Sequence, residues 1–279
     1  MTTRADAGIG AGLLLLTLAA CGGPATGPAL PTPEGPGIEG ARGVPGFDTR
    51  DYPGDAVMAA WRESSPYRWV GYYLPAPCYT GTSWDGRRAA LAGMGWGLAV
   101  LFVGEQDWAA SAPSGAVSGA DPGNQPVRCT STNLTPERGA ADGRAAASSA
   151  ATEGFRSGAI IFLDVERVDT VSAPLTAYVR AWVETVLADG RFVPGLYAHA
   201  ANADALLATA SATFRAAGRT DTPPLWVATT NGFSLRRAPT ESGFPAARIW
   251  QGILDARETW GGHTLRIDAN VASEASPSG

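Results

Sequence analysis

The chain has 279 residues, 45% of them hydrophobic, which is enough for one large globular domain or two small ones. Its formal net charge is −5, all 21 basic residues are arginines, and none of them form a basic run. A protein that follows a phosphate backbone needs such a run or patch. The composition therefore argues against a nucleic acid partner.

The first 20 residues have the features of an export signal. Arg4 supplies a positive charge, and the apolar stretch over residues 9–18 is too short to span a bilayer as a helix. Leu18-Ala19-Ala20-Cys21 resembles a bacterial lipobox, in which the signal is removed before a cysteine that is then lipid-modified. We expect a signal peptide over residues 1–20 and a lipid anchor on Cys21 that holds the protein at the outer face of the bacterial cell membrane. The alternative is an ordinary signal peptide with an incidental cysteine.

The rest of the chain divides by composition. Residues 21–44 are rich in Gly and Pro and predict a flexible tether, which would lift a domain clear of the membrane. Residues 45–272 carry the apolar segments of a single domain, and residues 273–279 are predicted to be a disordered tail.

The two remaining cysteines form an even pair once Cys21 is lipidated. An oxidising compartment favours a disulfide between Cys78 and Cys129, and two free buried thiols are the alternative. Cys78 follows the second predicted strand, and Cys129 lies in a long Ser-, Gly-, Ala- and Pro-rich stretch after the third. Because long loops of this kind often form lids or binding loops, the bridge would fasten the rim of a site.

Short apolar segments alternate with helical patterns along the domain. The predicted strands cover residues 44–49, 68–74, 97–104, 159–166, 192–197, 224–229, 247–251 and 265–270. The predicted helices cover residues 55–64, 85–93, 135–156, 174–190 and 202–217. Eight strands separated mostly by helices predict an α/β fold, a TIM-like (β/α)8 barrel. The link over residues 252–264 has little helical signal, so we expect the barrel to be irregular between strands seven and eight.

The fourth predicted strand ends in Asp164-Val165-Glu166. Successive strand side chains alternate between faces, so Asp164 and Glu166 should lie on the same side. The carboxyl ends of barrel strands form the face on which such folds carry out their chemistry. Alone, this pair could equally cap the next helix or pair with arginines.

Other polar residues also follow the strands, and a barrel would gather them at one mouth. Four of them are acids that we predict to be catalytic: Asp48, Asp164, Glu166 and Asp268. Clustered acids are costly unless one is protonated or a cation binds. The first case suits glycoside hydrolysis and the second a hard metal such as Mg²⁺ or Ca²⁺. With two histidines and no His-x-x-x-His spacing, a zinc site is not expected.

Aromatic and polar residues near the predicted mouth are candidates for contact with sugar rings. The predicted substrate-binding residues are Tyr72, Glu105, Gln106, Tyr197, His199, Trp226, Trp250, Gln251 and Asn270. Each aromatic residue among them could instead belong to the core. We predict no metal ion and no cofactor.

Several of these motifs occur in the order found in a known family. Gly46-Phe47-Asp48-Thr49, Gly95-Trp96-Gly97 and Asp164-Val165-Glu166 resemble the actinobacterial domain of unknown function 1906. The resemblance covers residues 45–271 and implies an exported, glycoside-hydrolase-like TIM barrel.

The motifs are more distantly similar to family 25 lysozymes, which cleave peptidoglycan between its two sugars. That similarity implies that Glu166 is the proton donor and that Asp164, Asp48 and Asp268 are the accompanying acids. Trp250-Gln251 matches a motif that continues with Tyr in that family, whereas Gly252 stands here, so an aromatic platform for sugars is expected to be missing.

These observations leave three functions open. The first is a membrane-tethered hydrolase of a cell-envelope glycan, with peptidoglycan as the expected polymer. The second is a barrel that binds a glycan without cleaving it. The third is a metal-dependent phosphodiesterase.

Overall fold

In the computed structural model, eight strands close into one barrel whose strand order follows the sequence. The structure describes residue 38, residues 40–108 and residues 129–279. The strands are β1 (Val44–Asp48), β2 (Trp69–Tyr73), β3 (Gly97–Val103), β4 (Ile160–Val165), β5 (Val193–His199), β6 (Leu225–Ala228), β7 (Ala247–Trp260) and β8 (His263–Ala272). The TIM-like α/β barrel predicted from the sequence is confirmed.

Within residues 40–108 and 129–279, five α-helices lie between the strands, close to the predicted positions. They are α1 (Asp55–Ser64), α2 (Arg88–Gly93), α3 (Pro136–Thr152), α4 (Ala173–Asp189) and α5 (Ala203–Ala216). Thr135 caps α3 by accepting a hydrogen bond from the backbone N–H of Arg138 at 3.2 Å. Gly190 ends α4 in the left-handed conformation, with φ 75°.

The last strand departs from a regular (β/α)8 barrel. β1 to β7 pair in parallel, whereas β8 runs antiparallel to both of its neighbours, β7 and β1. The predicted link over residues 252–264 is mostly strand, because β7 continues to Trp260 and turns through Gly261 and Gly262, both with positive φ. Glycine adopts these angles without strain, so a two-residue turn can join the strands directly. The irregularity expected here is therefore a long β-hairpin.

This reversal changes how β8 reaches the mouth of the barrel. Asp268 pairs with Asp48, the last residue of β1, and Asn270 pairs with Gly46. Asp268 thus lies level with the carboxyl end of β1, although it is in the middle of β8, which runs from the mouth back into the barrel. Asn270, which follows Asp268 in sequence, lies deeper in the barrel.

Alternation along β4 shows how the barrel interior is built. Ile160 and Phe162 belong to the inner cluster, whereas Ile161 and Leu163 pack in the outer cluster with the helices. Asp164 continues the series 160, 162, 164 and so follows Phe162 on the inner face. The inner cluster also holds Trp69, Leu101, Tyr197, Trp226 and Ile249. These large side chains fill the barrel below the mouth.

Both ends of the domain extend beyond the predicted limits. The tail over residues 273–279 was predicted to be disordered, but Ser278 is buried and its backbone bonds to Leu98 and Ile160. Its hydroxyl also accepts a hydrogen bond from the backbone N–H of Val100 at 2.8 Å. The disorder prediction is therefore wrong, because the tail supplies hydrogen-bond partners for the ends of β3 and β4. At the other end, Arg42 bonds to Glu241 at 2.8 Å, so the last residues of the predicted tether pack on the domain.

The predicted disulfide between Cys78 and Cys129 is present, with Cα atoms 5.5 Å apart. It joins the loop after β2 to the chain that leads into α3. The predicted signal peptide, Cys21 and most of the tether lie outside the described residues. Among the residues that the structure describes, no helix is both long enough and apolar enough to cross a bilayer.

Candidate active site

A cavity of about 240 Å³ opens at the mouth, where the parallel strands end. All four acids singled out from the sequence line it: Asp48, Asp164, Glu166 and Asp268. The same cavity is lined by Tyr73, Tyr197, His199, Trp226, Gln251 and the two arginines Arg50 and Arg266.

Asp48 is held by three side-chain donors. Tyr73 Oη donates to Oδ1 at 2.9 Å, while Gln251 Nε2 and Asn270 Nδ2 donate to Oδ2 at 2.9 and 2.8 Å. Burial raises the pKa of Asp48 to about 6, although these three hydrogen bonds act in the opposite direction.

Two further hydrogen bonds fix the orientation of the amides around Asp48. Trp226 Nε1 can only donate, and it donates to Asn270 Oδ1 at 3.0 Å. Tyr197 Oη donates to Gln251 Oε1 at 2.7 Å. The NH₂ groups of Gln251 and Asn270 therefore face Asp48. Together with the Tyr73 hydroxyl, they surround the Asp48 carboxylate with hydrogen-bond donors.

Asp268 accepts hydrogen bonds from the hairpin and from Gln251. The backbone N–H of Asp255 donates to Oδ1 at 2.6 Å, and Gln251 Nε2 lies 3.3 Å from Oδ2. Asp255 adopts φ 56°, a conformation that is uncommon for a residue other than glycine and that accompanies this contact. Burial, followed by the charge of Asp48, raises the pKa of Asp268 to about 8.

Asp164 and Glu166 have far fewer partners. Asp164 is 7% exposed, and its Oδ1 atom has no hydrogen-bond partner in the described part of the chain. Burial, then the charges of Glu166 and Asp48, raise the pKa of Asp164 well above its usual value. The Glu166 side chain is 17% exposed, and its Oε2 lies 3.2 Å from His199 Nε2.

The backbone that carries this pair is clamped by two amide side chains. Gln106 Nε2 donates to the carbonyl of Asp164 at 2.9 Å, and Gln106 Oε1 accepts from the N–H of Glu166 at 2.9 Å. Asn202 Nδ2 donates to the carbonyl of Glu166 at 2.9 Å. The clamp holds the polypeptide from which both carboxyls project, at the point where β4 leaves the barrel.

Several predicted substrate-binding residues do not line the cavity. Tyr72 points outward, and its hydroxyl lies 2.5 Å from Glu153 Oε2 and 2.6 Å from the carbonyl oxygen of Trp84. Glu105 is 1% exposed and pairs with Arg138 at 3.1 Å. Trp250 is fully buried and donates to the carbonyl of Thr229 at 2.7 Å. None of these three lines the cavity as expected: alternation turns Tyr72 and Trp250 away from the interior, whereas Glu105 lies beyond the end of β3 and is held by Arg138 and Asn133.

Two more of the predicted residues are at the site without lining the cavity. Gln106 is 1% exposed and acts on the backbone of β4, and Asn270 is fully buried and acts on Asp48. Tyr197, His199, Trp226 and Gln251 do line the cavity, as expected.

The sequence prediction missed other residues of the mouth. Tyr73, and not its neighbour Tyr72, faces Asp48, and only the register of β2 decides between them. Asp255 and Arg266 reach the cavity because β7 and β8 extend past the mouth, and they pair at 2.9 Å. Residues 252–264 alternate too weakly between apolar and polar side chains to predict this hairpin.

Ligation of a metal ion requires several ligand atoms close to one another. Within the described residues, the one group of three potential ligands that lie within 4.8 Å of one another is Cys78, Glu105 and Cys129. Its two cysteines are joined in the disulfide. The described acids of the mouth do not form such a group.

Comparison with known proteins gives a family and a fold. The family model described as "Rv2525c-like, glycoside hydrolase-like domain" matches residues 59–272. An uncharacterized protein of B. stearothermophilus is 18% identical over 82% of this chain and 96% of its own, with a TM-score of 0.52. The modular autolysin LytC of Streptococcus pneumoniae is 12% identical over 81% of this chain and 46% of its own, with a TM-score of 0.50. No curated protein sequence matches. At these identities the two structures show a shared fold.

Proposed function

This chain belongs to the Rv2525c-like, glycoside hydrolase-like domain family, and from this membership we propose that it hydrolyses a cell-envelope glycan, with peptidoglycan as the substrate. Membership also confirms the glycoside-hydrolase-like family that the sequence motifs indicate. Export and a lipid anchor on Cys21 are part of the proposal and rest on the lipobox-like sequence. A tether between anchor and barrel would let the mouth reach wall polymer.

The observation that carries the proposal is one cavity lined by four acids, in which Asp48 accepts three side-chain hydrogen bonds and Asp164 has an oxygen without a partner among the described residues. Near neutral pH the Asp268 pKa of about 8 favours the protonated form of that acid, and burial raises the pKa of Asp164 well above its usual value. Asp48, with a pKa of about 6, is mostly ionised there. Glycoside hydrolysis needs a carboxyl group that can give a proton and a carboxylate that can stabilise charge or activate water.

We assign the proton donor to Glu166. Its side chain is the one that extends beyond the end of β4, is reached by solvent and places Oε2 3.2 Å from His199 Nε2. In this mechanism Glu166 protonates the glycosidic oxygen as the bond to the anomeric carbon breaks. Water then adds to that carbon, and the proton it loses restores the acid.

The other three acids act on the charge that develops in the sugar ring. Asp164 has an unpartnered oxygen in the cavity, and a positive charge beside it favours its ionised form. Asp268 stabilises charge or positions water from the opposite wall. Asp48, fixed by its three donors, raises the pKa of both neighbours through its charge.

The test is release of soluble product from purified peptidoglycan, with products identified by mass. We expect wild-type protein to release product and Glu166→Gln to lose about 10²- to 10⁴-fold in rate, the contribution typical of a general acid. Glu184→Gln, at an exposed position on α4, is the matched control and should keep the wild-type rate. An undiminished rate in Glu166→Gln would remove Glu166 from the mechanism.

A second function, glycan binding without cleavage, is favoured by one feature of the mouth. Gly252 stands where family 25 lysozymes have an aromatic residue, and a Cβ there would lie 1.8 Å from the ring of Phe233. No side chain can therefore project from this position toward a sugar. Binding without product, in wild type and Glu166→Gln alike, would favour this second function.

A further inference from the structure

Arg50 lines the mouth and has no carboxylate partner among the residues that the structure describes. Six acids line the cavity, namely Asp48, Asp51, Asp164, Glu166, Asp255 and Asp268, and two arginines, Arg50 and Arg266, lie among them. Arg266 is neutralised by Asp255 at 2.9 Å. Within the described residues, no carboxylate oxygen lies within 4.0 Å of the Arg50 guanidinium.

The position of Arg50 is well defined. Its backbone carbonyl accepts hydrogen bonds from Tyr79 Oη at 3.0 Å and from Trp84 Nε1 at 2.9 Å. Its guanidinium lies 6.0 Å from the centre of the Tyr79 ring, which keeps the half-buried side chain along the cavity wall. Tyr79 belongs to the loop that the disulfide at Cys78 fastens.

A guanidinium in this setting offers a planar set of donors to an anion. A wholly neutral glycan would make no use of its charge, whereas a carboxylate on the sugar could bind it in a bidentate manner. The nearby acids repel such a group less than their number suggests, because burial raises the pKa of Asp268 to about 8 and Asp255 is paired with Arg266.

We propose that Arg50 forms a subsite for a carboxylate carried by the glycan, so that the protein selects acidic over neutral polysaccharide chains. This inference rests on the proposed function, since it names the substrate class of the same cavity. In peptidoglycan, a carboxylate of this kind is either the lactyl group of a strand freed of peptide or a carboxyl of the stem peptide. If the lactyl group is the one bound, a reaction that cleaves the amide between peptide and sugar must supply the substrate.

The test measures binding by calorimetry in the full chain carrying Glu166→Gln, so that no probe is consumed. The probes are peptide-free peptidoglycan strands, the same strands with their carboxylates methyl-esterified, peptide-bearing strands, and neutral N-acetylglucosamine oligomers. Added to that background, Arg50→Gln removes the charge, Arg50→Lys keeps it, and Arg144→Gln changes an exposed arginine of α3 as the control.

We expect Arg50→Gln to weaken binding of at least one acidic probe about tenfold, in line with a charge-assisted hydrogen bond. Arg50→Lys should lose less, Arg144→Gln nothing, and the esterified and neutral probes should not distinguish the variants. Which acidic probe responds identifies the source of the carboxylate. Equal affinity of Arg50→Gln and its parent for both acidic probes would overturn the inference.

The two proposals fail in different ways. Suppose that the wild-type protein releases product from peptidoglycan but Arg50→Gln changes no affinity. The proposed hydrolysis is then supported, and the carboxylate subsite is overturned. If no probe binds, the subsite is overturned as well, and absence of product from wild type then overturns the proposed hydrolysis separately.

Discussion

The two walls of the mouth hold their acids in opposite ways. On the wall of β1 and β8, Asp48 is surrounded by three donors from Tyr73, Gln251 and Asn270. On the wall of β4, Asp164 has an oxygen without a partner among the described residues, and the Glu166 carboxylate contacts His199. Both walls carry a buried acid with a raised pKa.

This difference separates acids whose acceptor atoms are occupied from acids whose atoms remain open. A carboxylate with its acceptor atoms filled acts through its charge, whereas an open atom is available to a ligand. We infer that Asp164 and Glu166 are the acids that contact the substrate directly, and that Asp48, on the wall of β1 and β8, acts through its fixed charge.

The strongest test of this difference between the walls is the same substitution, Asp to Asn, on each wall. Asp164→Asn should reduce product release about 10²- to 10³-fold, as expected when charge stabilisation is lost, with little loss of stability because no hydrogen bond is broken at Oδ1. Asp48→Asn should destabilise the fold by about 1–3 kcal/mol, since its NH₂ group must face either the Tyr73 hydroxyl or the NH₂ groups of Gln251 and Asn270, and either orientation loses at least one of the three hydrogen bonds. Product release and thermal unfolding, measured for both variants, check the pair.

The opposite pattern would contradict the division between the walls. If Asp164→Asn unfolded at a clearly lower temperature and Asp48→Asn did not, the hydrogen bonds described here would not determine how the two acids are held.

A smaller effect is expected from the clamp behind the β4 wall. Gln106→Leu removes both bonds to the backbone of Asp164 and Glu166, and we expect kcat to fall about tenfold to hundredfold from the resulting misplacement. KM should stay nearly unchanged because Gln106 does not line the cavity. Steady-state kinetics on soluble glycan strands give this division between kcat and KM.

Gln106→Glu serves as the matched variant for the clamp. Its carboxylate can still accept from the N–H of Glu166 but, when ionised, cannot donate to the carbonyl of Asp164. Its kcat should therefore lie between those of wild type and Gln106→Leu. A rise in KM with unchanged kcat would instead indicate a direct role in substrate binding.

A further expected effect is a dependence of stability on pH. The pKa of Asp268 is raised to about 8 in the folded protein, so between its ordinary pKa and about 8 the folded state binds more protons than the unfolded state. Stability should therefore fall as pH rises through that interval. The melting temperature should drop between about pH 5 and pH 8 in wild type and drop less in Asp268→Asn.

The exposed Asp204 on α5 provides the control, and Asp204→Asn should keep the wild-type pH dependence. The comparison concerns the slope with pH, because Asp268→Asn also introduces an NH₂ group near Gln251 and alters the stability at every pH. Identical slopes in all three proteins would show that Asp268 does not titrate as described.

Local patterns were enough to predict some elements and not others. The helices and the parallel strands follow from apolar periodicity, and Thr135 and Gly190 mark helix ends that the structure also has. The hairpin was missed because residues 252–264 alternate weakly, and their strands are stabilised mainly by pairing with each other. The tail was missed because its few polar bonds are made to distant strands.

The candidate site shows the same division between local and tertiary information. The sequence by itself determined the barrel, the acids at the ends of β1 and β4, and the even pair of cysteines, since each depends on residue type and local spacing. Only the tertiary structure decided that Tyr73 rather than Tyr72 faces Asp48, that Gln106 clamps the backbone, and that Arg50 has no carboxylate partner among the described residues beside the cavity. These outcomes depend on strand register and on contacts between residues far apart in the chain, and a local sequence pattern contains no information about either.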